Sequence, residues 1–66
     1  MGYKLKEIRE GKGMTQEELA KASGVSRVTI SAIENNNEYQ AKTGTLLALA
    51  KAMETTIDKI FFENAV

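Results

Sequence analysis

The sequence predicts an all-α domain made of five short helices. The chain contains no proline, its apolar residues recur at spacings of three and four rather than in alternation, and helix-start and helix-stop residues divide it into five segments. With 66 residues and neither cysteine nor histidine, its stability must come from core packing rather than from disulfides or the usual zinc sites. We therefore expect one domain over residues 1–66, with no metal and no other cofactor.

The N-terminal part of the chain predicts two helices separated by glycines. The segment YKLKEIREGK places Leu5 and Ile8 on one helical face, and Gly11 or Gly13 ends the helix. In MTQEELAKASG, Thr15 is followed three residues later by Glu18, which is the spacing of a capping box. Thr15 is thus the expected cap of the second helix.

A third helix follows after a very short connection. Gly24 can adopt the left-handed conformation that ends a helix, and Ser26 is a favoured N-cap for the amphipathic segment VTISAIEN. Because only about three residues join the second and third helices, the two must cross sharply, as in a helix-turn-helix over about residues 15–35. At about 100° per residue, both isoleucines of this segment face the core and Val28 faces the opposite way.

The C-terminal part predicts two more helices. TGTLLALAKAM is the most apolar helical segment, and TTIDKIFF forms a final helix capped by Thr56. The residues that these two helices offer to the core are Leu46, Leu47, Leu49, Ala50, Met53, Ile57, Ile60 and Phe61.

Charge is distributed unevenly along the chain. The nine basic and nine acidic residues cancel overall, but residues 1–33 carry a net charge of +2 and residues 34–66 a net charge of −2. An anionic partner is therefore expected to meet the N-terminal half. No apolar run approaches the roughly 20 residues of a membrane span, and no signal-peptide pattern opens the chain, so we expect no membrane partner and a cytoplasmic location.

The segment MTQEELAKASGVSRVTISAIEN, preceded by LKEIRE and followed by LLALAKAMETTIDKIF, resembles the Cro and cI-repressor-like (XRE) helix-turn-helix family. The resemblance implies a compact five-helix, lambda-repressor-like domain, encoded by a bacterium or phage, that binds operator DNA as a dimer. It implies a repressor or controller that places the helix over 26–35 in the major groove. The sequence departs from the family pattern at Ser23, usually apolar, at Glu54, often glycine, and at Ala41-Lys42, often Pro-Ser.

The expected DNA contacts lie on the outer side of the third helix and at helix ends. An arginine can bind guanine O6 and N7, and a valine can contact a thymine methyl group. The residues expected at base edges are Ser26, Arg27, Val28 and Ala32. Those expected at the DNA backbone are Gln16, which is assigned by the resemblance, Thr29, Ser31, Asn35, Lys42 and Thr43. The alternatives are a solvated arginine, an isolated surface valine and ordinary helix-end polarity.

One charged residue is expected inside. Glu34 lies beside the core-facing isoleucines, where an unpaired carboxylate would be costly. Arg9 is the expected partner, and the family pairs an arginine and a glutamate at these two positions. The pair would hold the first helix against the third; the alternative is that Arg9 contacts DNA.

The partner and the function class are further expectations. One such domain reads only a few base pairs, so a homodimer on DNA would double the site. The candidate dimer surface comprises Ile57, Phe62 and Val66, unless Phe62 packs on Tyr3 within one chain. The rival function is a protein-interaction module on the same fold, such as an antitoxin with a protein partner. An enzyme is not expected, because histidine and cysteine are absent.

Overall fold

A computed structural model describes residues 2–36 and 39–62 of the chain. Its helices are α1 (Leu5–Gly11), α2 (Gln16–Ser23), α3 (Arg27–Asn35), α4 (Thr43–Ala52) and α5 (Ile57–Ile60). Two very short strands, β1 (Gly2–Tyr3) and β2 (Phe61–Phe62), pair antiparallel near the chain ends. The predicted five-helix fold is confirmed.

The strand pair corrects both ends of the predicted helix pattern. The first predicted helix included Tyr3, but this residue lies in β1, and the next residue, Lys4, donates its backbone N–H to the Ile60 carbonyl oxygen at 2.6 Å. The final helix is a single turn, because the backbone becomes extended in β2 directly after Ile60. Pairing across the two ends therefore replaces the helical hydrogen bonds that the sequence pattern predicted.

The starts of α2 and α3 carry the predicted side-chain caps. The Glu18 N–H donates to Thr15 Oγ1 at 3.0 Å, and the Thr15 N–H donates to Glu18 Oε1 at 2.8 Å. The Thr29 N–H donates to Ser26 Oγ at 3.1 Å. Between the two helices Gly24 has a φ of 79°, where a side chain would be strained. These local features produce the helix-turn-helix.

The core lies where all five helices meet. Its buried apolar residues are Leu5, Leu19, Ile30, Ile33, Leu46, Leu49, Ala50, Met53 and Ile60. Ile8 and Ile57 are half-buried against this cluster. The prediction that Leu47 faces the core is wrong, since its side chain is 45% exposed. One residue of a helix turns through about 100°, so Leu47 lies to the side of the face that carries Leu46.

The two ends of α4 are built differently from those of α2 and α3. Lys42 occupies the N-cap position, and no side-chain hydrogen bond caps the helix. After the helix, Glu54 has a φ of 56°, at one of the positions where the sequence departs from the family that it resembles. The Thr55 N–H donates to the Ala50 carbonyl oxygen at 2.8 Å, which closes the turn. A residue with a Cβ is thus held in the left-handed region by the turn around it.

Among the described residues, no helix has the length and apolarity that a membrane span requires. The longest, α4, has ten residues, whereas a span needs about 20.

Candidate nucleic-acid interface

The helix α3 has two different faces. Ile30 and Ile33 are completely buried on the inner face. On the outer face Val28 is 79% exposed, and Arg27 beside it is also exposed. Ala32 lies one turn after Val28 and adds little bulk, so another molecule can approach the helix closely. The surface therefore offers an apolar group and a cation side by side on one helix.

A shallow open groove lies between the start of α2 and the outer face of α3. It is lined by Gln16, Arg27, Val28, Ser31, Ala32, Asn35 and Asn36. All of these except Asn36 are among the DNA contacts expected from the sequence. Asn36 follows the last residue of α3, and its polar side chain could not be distinguished in the sequence from ordinary helix-end polarity. In the part of the chain that the structure describes, no cluster of acidic side chains suits a metal ion.

The ion pair expected behind this face is formed. Arg9 Nε donates to Glu34 Oε2 at 2.7 Å and Arg9 Nη2 donates to Glu34 Oε1 at 3.1 Å, a bidentate arrangement. Arg9 Nη1 also donates to the Met14 carbonyl oxygen at 2.7 Å. The side chain of Arg9 is only 9% exposed and that of Glu34 only 2%. Arg9 thus points into the protein and links α1, the loop before α2, and α3.

The electrostatics of the pair favour a permanent charge on Arg9. Its hydrogen bond to the Glu34 carboxylate raises the pKa of the guanidinium above its ordinary value, although burial acts in the opposite direction. Arginine is protonated in proteins at all physiological pH values. The positive charge of Arg9 is therefore a fixed element of the fold.

Gln16 connects this buried pair with the outer groove. Gln16 Nε2 donates to Glu34 Oε1 at 3.0 Å, and Gln16 Oε1 accepts from Arg27 Nε at 3.5 Å. Because an ionised carboxylate can only accept hydrogen bonds, Glu34 determines which end of the Gln16 amide points inward. The carbonyl end is consequently left to face Arg27. This connection is not predictable from the sequence, because nothing in the local pattern relates positions 18 residues apart.

The remaining polar residues of the interface form local pairs. Ser26 Oγ donates to Thr29 Oγ1 at 2.9 Å while it caps the helix. Asn35 Nδ2 donates to Ser31 Oγ at 3.0 Å. Each of these two pairs is joined by a bond that spans three or four residues.

Other predicted residues lie outside the groove. Lys42 and Thr43 are exposed at the start of α4. Of the candidate dimer residues, Ile57 is half-buried. The side chain of Phe62 and the whole of Val66 lie outside the described residues, so the dimer surface stays a prediction.

Comparison with known proteins identifies relatives of the chain. A family model described as helix-turn-helix (HTH_3) matches residues 5–60. The uncharacterized HTH-type transcriptional regulator RghRB of Bacillus subtilis (strain 168) is 36% identical over 63 residues, which are 96% of this chain and 42% of that protein. The chain therefore spans about two fifths of the length of this curated relative.

Solved structures show the same fold. The restriction-modification controller protein C.AhdI of Aeromonas hydrophila has a TM-score of 0.78 at 31% identity, covering 88% of this chain and 86% of its own. The Bacillus subtilis biofilm regulator SinR has been solved in complex with DNA, with a TM-score of 0.77, 26% identity and coverages of 82% and 86%. It has also been solved in complex with SinI, with a TM-score of 0.77, 25% identity and coverages of 83% and 53%. Because the family model covers all five helices, this chain belongs to the XRE-type helix-turn-helix family HTH_3.

Proposed function

We propose that this chain is a sequence-specific, double-stranded DNA-binding transcriptional regulator that reads the major groove with α3. The observation that carries the proposal is the outer face of α3, where Val28 is 79% exposed next to Arg27. A guanidinium matches the O6 and N7 acceptors of guanine, and valine methyl groups match the thymine methyl. Both targets are presented in the major groove, which is wide enough to admit an α-helix.

The side chains behind Arg27 support an ordered readout. Glu34 orients Gln16, and the Gln16 carbonyl oxygen lies 3.5 Å from Arg27 Nε. A guanidinium that is already restrained loses less conformational freedom when it binds a base. The net charge of +2 on residues 1–33, which contain this face, also favours a polyanion.

The division of contacts follows from where the side chains lie. Residues at the start and middle of the outer face of α3 would meet base edges, and polar residues that flank them or lie at helix ends would meet phosphates, which fix the register of the protein on the duplex. We propose base contacts by Ser26, Arg27, Val28 and Ala32, and backbone contacts by Gln16, Thr29, Ser31, Asn35, Lys42 and Thr43. Two copies of α3 in a homodimer would read two half-sites about one helical turn apart.

The experiment that tests the proposal is selection of binding sites from random duplex DNA. The wild-type chain is compared with Arg27→Ala and with Lys21→Ala, which removes one exposed positive charge outside the groove. We expect the wild-type chain to enrich a palindrome with half-sites about 10 base pairs apart. Arg27→Ala should lose discrimination of about 1–3 kcal/mol at one position of each half-site. Lys21→Ala should select the same sequence with slightly lower affinity.

Two results would contradict the proposal. One is the absence of any enriched sequence for the wild-type chain, with only salt-sensitive binding to all duplexes. The other is an equal change of preference in Arg27→Ala and Lys21→Ala, because it would show that charge alone matters.

A protein-binding module is the second candidate function. The chain has a formal net charge of 0, and Leu47 leaves an apolar side chain 45% exposed on α4. Its structural relative SinR has been solved with a protein, SinI, as well as with DNA. If the selection enriches no sequence, co-expression with the products of neighbouring genes tests this function, and Leu47→Gln should then weaken the complex.

A further inference from the structure

The hydroxyl group of Tyr3 joins parts of the molecule that are far apart in sequence. It donates a hydrogen bond to the Tyr39 carbonyl oxygen and accepts one from the Ala41 N–H at 3.3 Å. These contacts connect residues 36 and 38 positions apart. Tyr3 is also half-buried against the core, and its backbone pairs with that of Phe61. One side chain thus fastens the paired strands to the loop between α3 and α4.

The loop that Tyr3 holds leads directly into α4. Lys42 follows Ala41 and is the N-cap residue of α4, which has no side-chain cap. Both α2 and α3, in contrast, are fixed at their starts by hydroxyl caps of their own. The position of the first turn of α4 therefore depends on the backbone that precedes it, and Tyr3 binds that backbone at two points.

We propose that the Tyr3 hydroxyl is a positioning group for DNA-backbone contacts at the start of α4. The inference rests on the proposed function, in which Lys42 and Thr43 bind phosphate. Tyr3 itself does not touch DNA; it holds the Tyr39 carbonyl and the Ala41 amide, and thereby sets where the Lys42 ammonium stands relative to α3. Phosphate contacts carry no base information, so Tyr3 acts on affinity and salt dependence and leaves base preference unchanged.

The test compares two tyrosine-to-phenylalanine variants. Tyr3→Phe removes both hydrogen bonds but keeps the aromatic ring. Tyr39→Phe removes a neighbouring hydroxyl and leaves intact the backbone carbonyl that Tyr3 binds. Binding is measured by fluorescence anisotropy, on a duplex carrying the sequence that the wild-type chain selects, between about 50 and 200 mM salt. Amide hydrogen exchange at Ala41 reports on the loop in the absence of DNA.

We expect Tyr3→Phe to change both measurements. The Ala41 amide should exchange faster, because its acceptor is gone. DNA affinity should fall about three- to tenfold, which is the effect of losing about one net hydrogen bond between the protein and a phosphate. The slope of log affinity against log salt concentration should become shallower by the equivalent of about one phosphate contact. The selected sequence should not change. Tyr39→Phe should match the wild-type chain in both measurements.

Variants at the start of α4 distinguish a positioning role of the Tyr3 hydroxyl from a general loss of protein stability. In a background that carries both Lys42→Ala and Thr43→Ala, Tyr3→Phe should cause no further loss of affinity, because both phosphate contacts at the start of α4 are already absent. Additive losses in that background would overturn the inference. Unchanged affinity and salt slope in Tyr3→Phe, with only a lower melting temperature, would overturn it too. If the wild-type chain itself selects no sequence, the proposed function fails and the inference fails with it.

Discussion

The two halves of this molecule fix their helices in different ways. In residues 15–36, α2 and α3 begin at hydroxyl caps, and Gly24 provides the left-handed turn between them. In residues 39–62, α4 begins without a side-chain cap, and a non-glycine residue, Glu54, adopts a positive φ after it. The helices of the proposed DNA-reading half are therefore specified by residues three positions apart. The position of α4 instead depends on core packing and on contacts with distant segments.

Ser26 and Lys42 occupy the same position, the N-cap, of α3 and α4. The backbone of Ser26 has φ −65° and ψ 149°, and that of Lys42 has φ −72° and ψ 149°, so both residues adopt the extended N-cap conformation. Only serine has an oxygen that can accept from the helix N–H groups, since an ammonium group can only donate. A cation at this end also opposes the helix dipole. The start of α4 is locally less stable, and it presents a cation where we propose a phosphate contact.

The largest effect on stability is expected at the buried ion pair between Arg9 and Glu34, because this long-range contact holds the locally capped α3 against α1. Arg9→Ala leaves the Glu34 carboxylate, 2% exposed, without its charged partner. Removing one member of a buried pair costs about 3–5 kcal/mol. We therefore expect the free energy of unfolding, measured by urea denaturation, to fall by about 3–5 kcal/mol. This loss exceeds the roughly 1 kcal/mol that a helix cap contributes.

The matched control for this variant removes both charges. Arg9→Met combined with Glu34→Leu should recover most of the loss, because well-packed apolar pairs can replace buried ion pairs at little cost. Lys12→Ala removes an exposed positive charge in the same region and should change stability by less than about 0.5 kcal/mol. A loss of less than about 1 kcal/mol in Arg9→Ala would contradict the structural role of the pair.

The second prediction concerns the side-chain cap at the start of α3. Ser26→Ala removes the oxygen that accepts from the Thr29 N–H at 3.1 Å. Loss of such a cap costs about 1 kcal/mol, within a range of about 0.5–2 kcal/mol, and urea denaturation measures it. Thr43→Ala, which removes a hydroxyl from the first turn of uncapped α4, is the control and should be nearly neutral. If both variants lost the same free energy of unfolding, the start of α3 would be no more dependent on its side-chain cap than the start of α4.

The third prediction supplies α4 with the cap that it lacks. Lys42→Ser introduces an acceptor on a backbone already in the N-cap conformation, so the free energy of unfolding should rise by about 0.5–1 kcal/mol. DNA binding should weaken at the same time, because the proposed phosphate contact is lost. Lys42→Ala separates the two effects, since it should weaken binding equally without the gain in stability. A destabilised Lys42→Ser would show that the loop already positions α4 optimally.

The smallest effect is expected at the other end of α4. Glu54 has a φ of 56°, a conformation that costs an L-residue about 1–2 kcal/mol and costs glycine much less. Glycine also increases the entropy of the unfolded chain, so Glu54→Gly should raise the free energy of unfolding by only about 0.5 kcal/mol. Glu54→Ala keeps the Cβ and removes the charge. A similar gain in Glu54→Ala would assign the effect to charge rather than to backbone strain.

Much of the fold was predictable because its determinants are local. The Thr15–Glu18 capping box and the Ser26 cap each join residues three positions apart, so they form within a single turn whatever surrounds them. The faces of α3 were predictable for the same reason. Helical rotation alone separates the buried Ile33 from the exposed Val28. The DNA contacts expected from the sequence include all the groove residues other than Asn36, with Gln16 assigned by the resemblance.

The local pattern was insufficient where neighbouring residues have similar preferences. Leu46 and Leu47 are both apolar and helix-forming, but only Leu46 is buried, because the position of α4 against the core selects one face of the helix. Likewise TTIDKIFF has the spacing of a helix, but pairing with β1 makes the backbone extended at Phe61 and Phe62. In both places two local arrangements were compatible with the sequence, and a distant segment decided between them.

The sequence by itself thus determined where α2 and α3 begin, how they turn, and which face of α3 is left exposed. Only the tertiary structure decided that Gln16 turns its amide nitrogen towards Glu34 and that Tyr3 holds the loop before α4. The physical reason is the separation along the chain. A hydrogen bond between residues three apart closes a short loop and needs only local geometry. Bonds that span 18, 36 or 38 residues form only after core packing has brought their partners together.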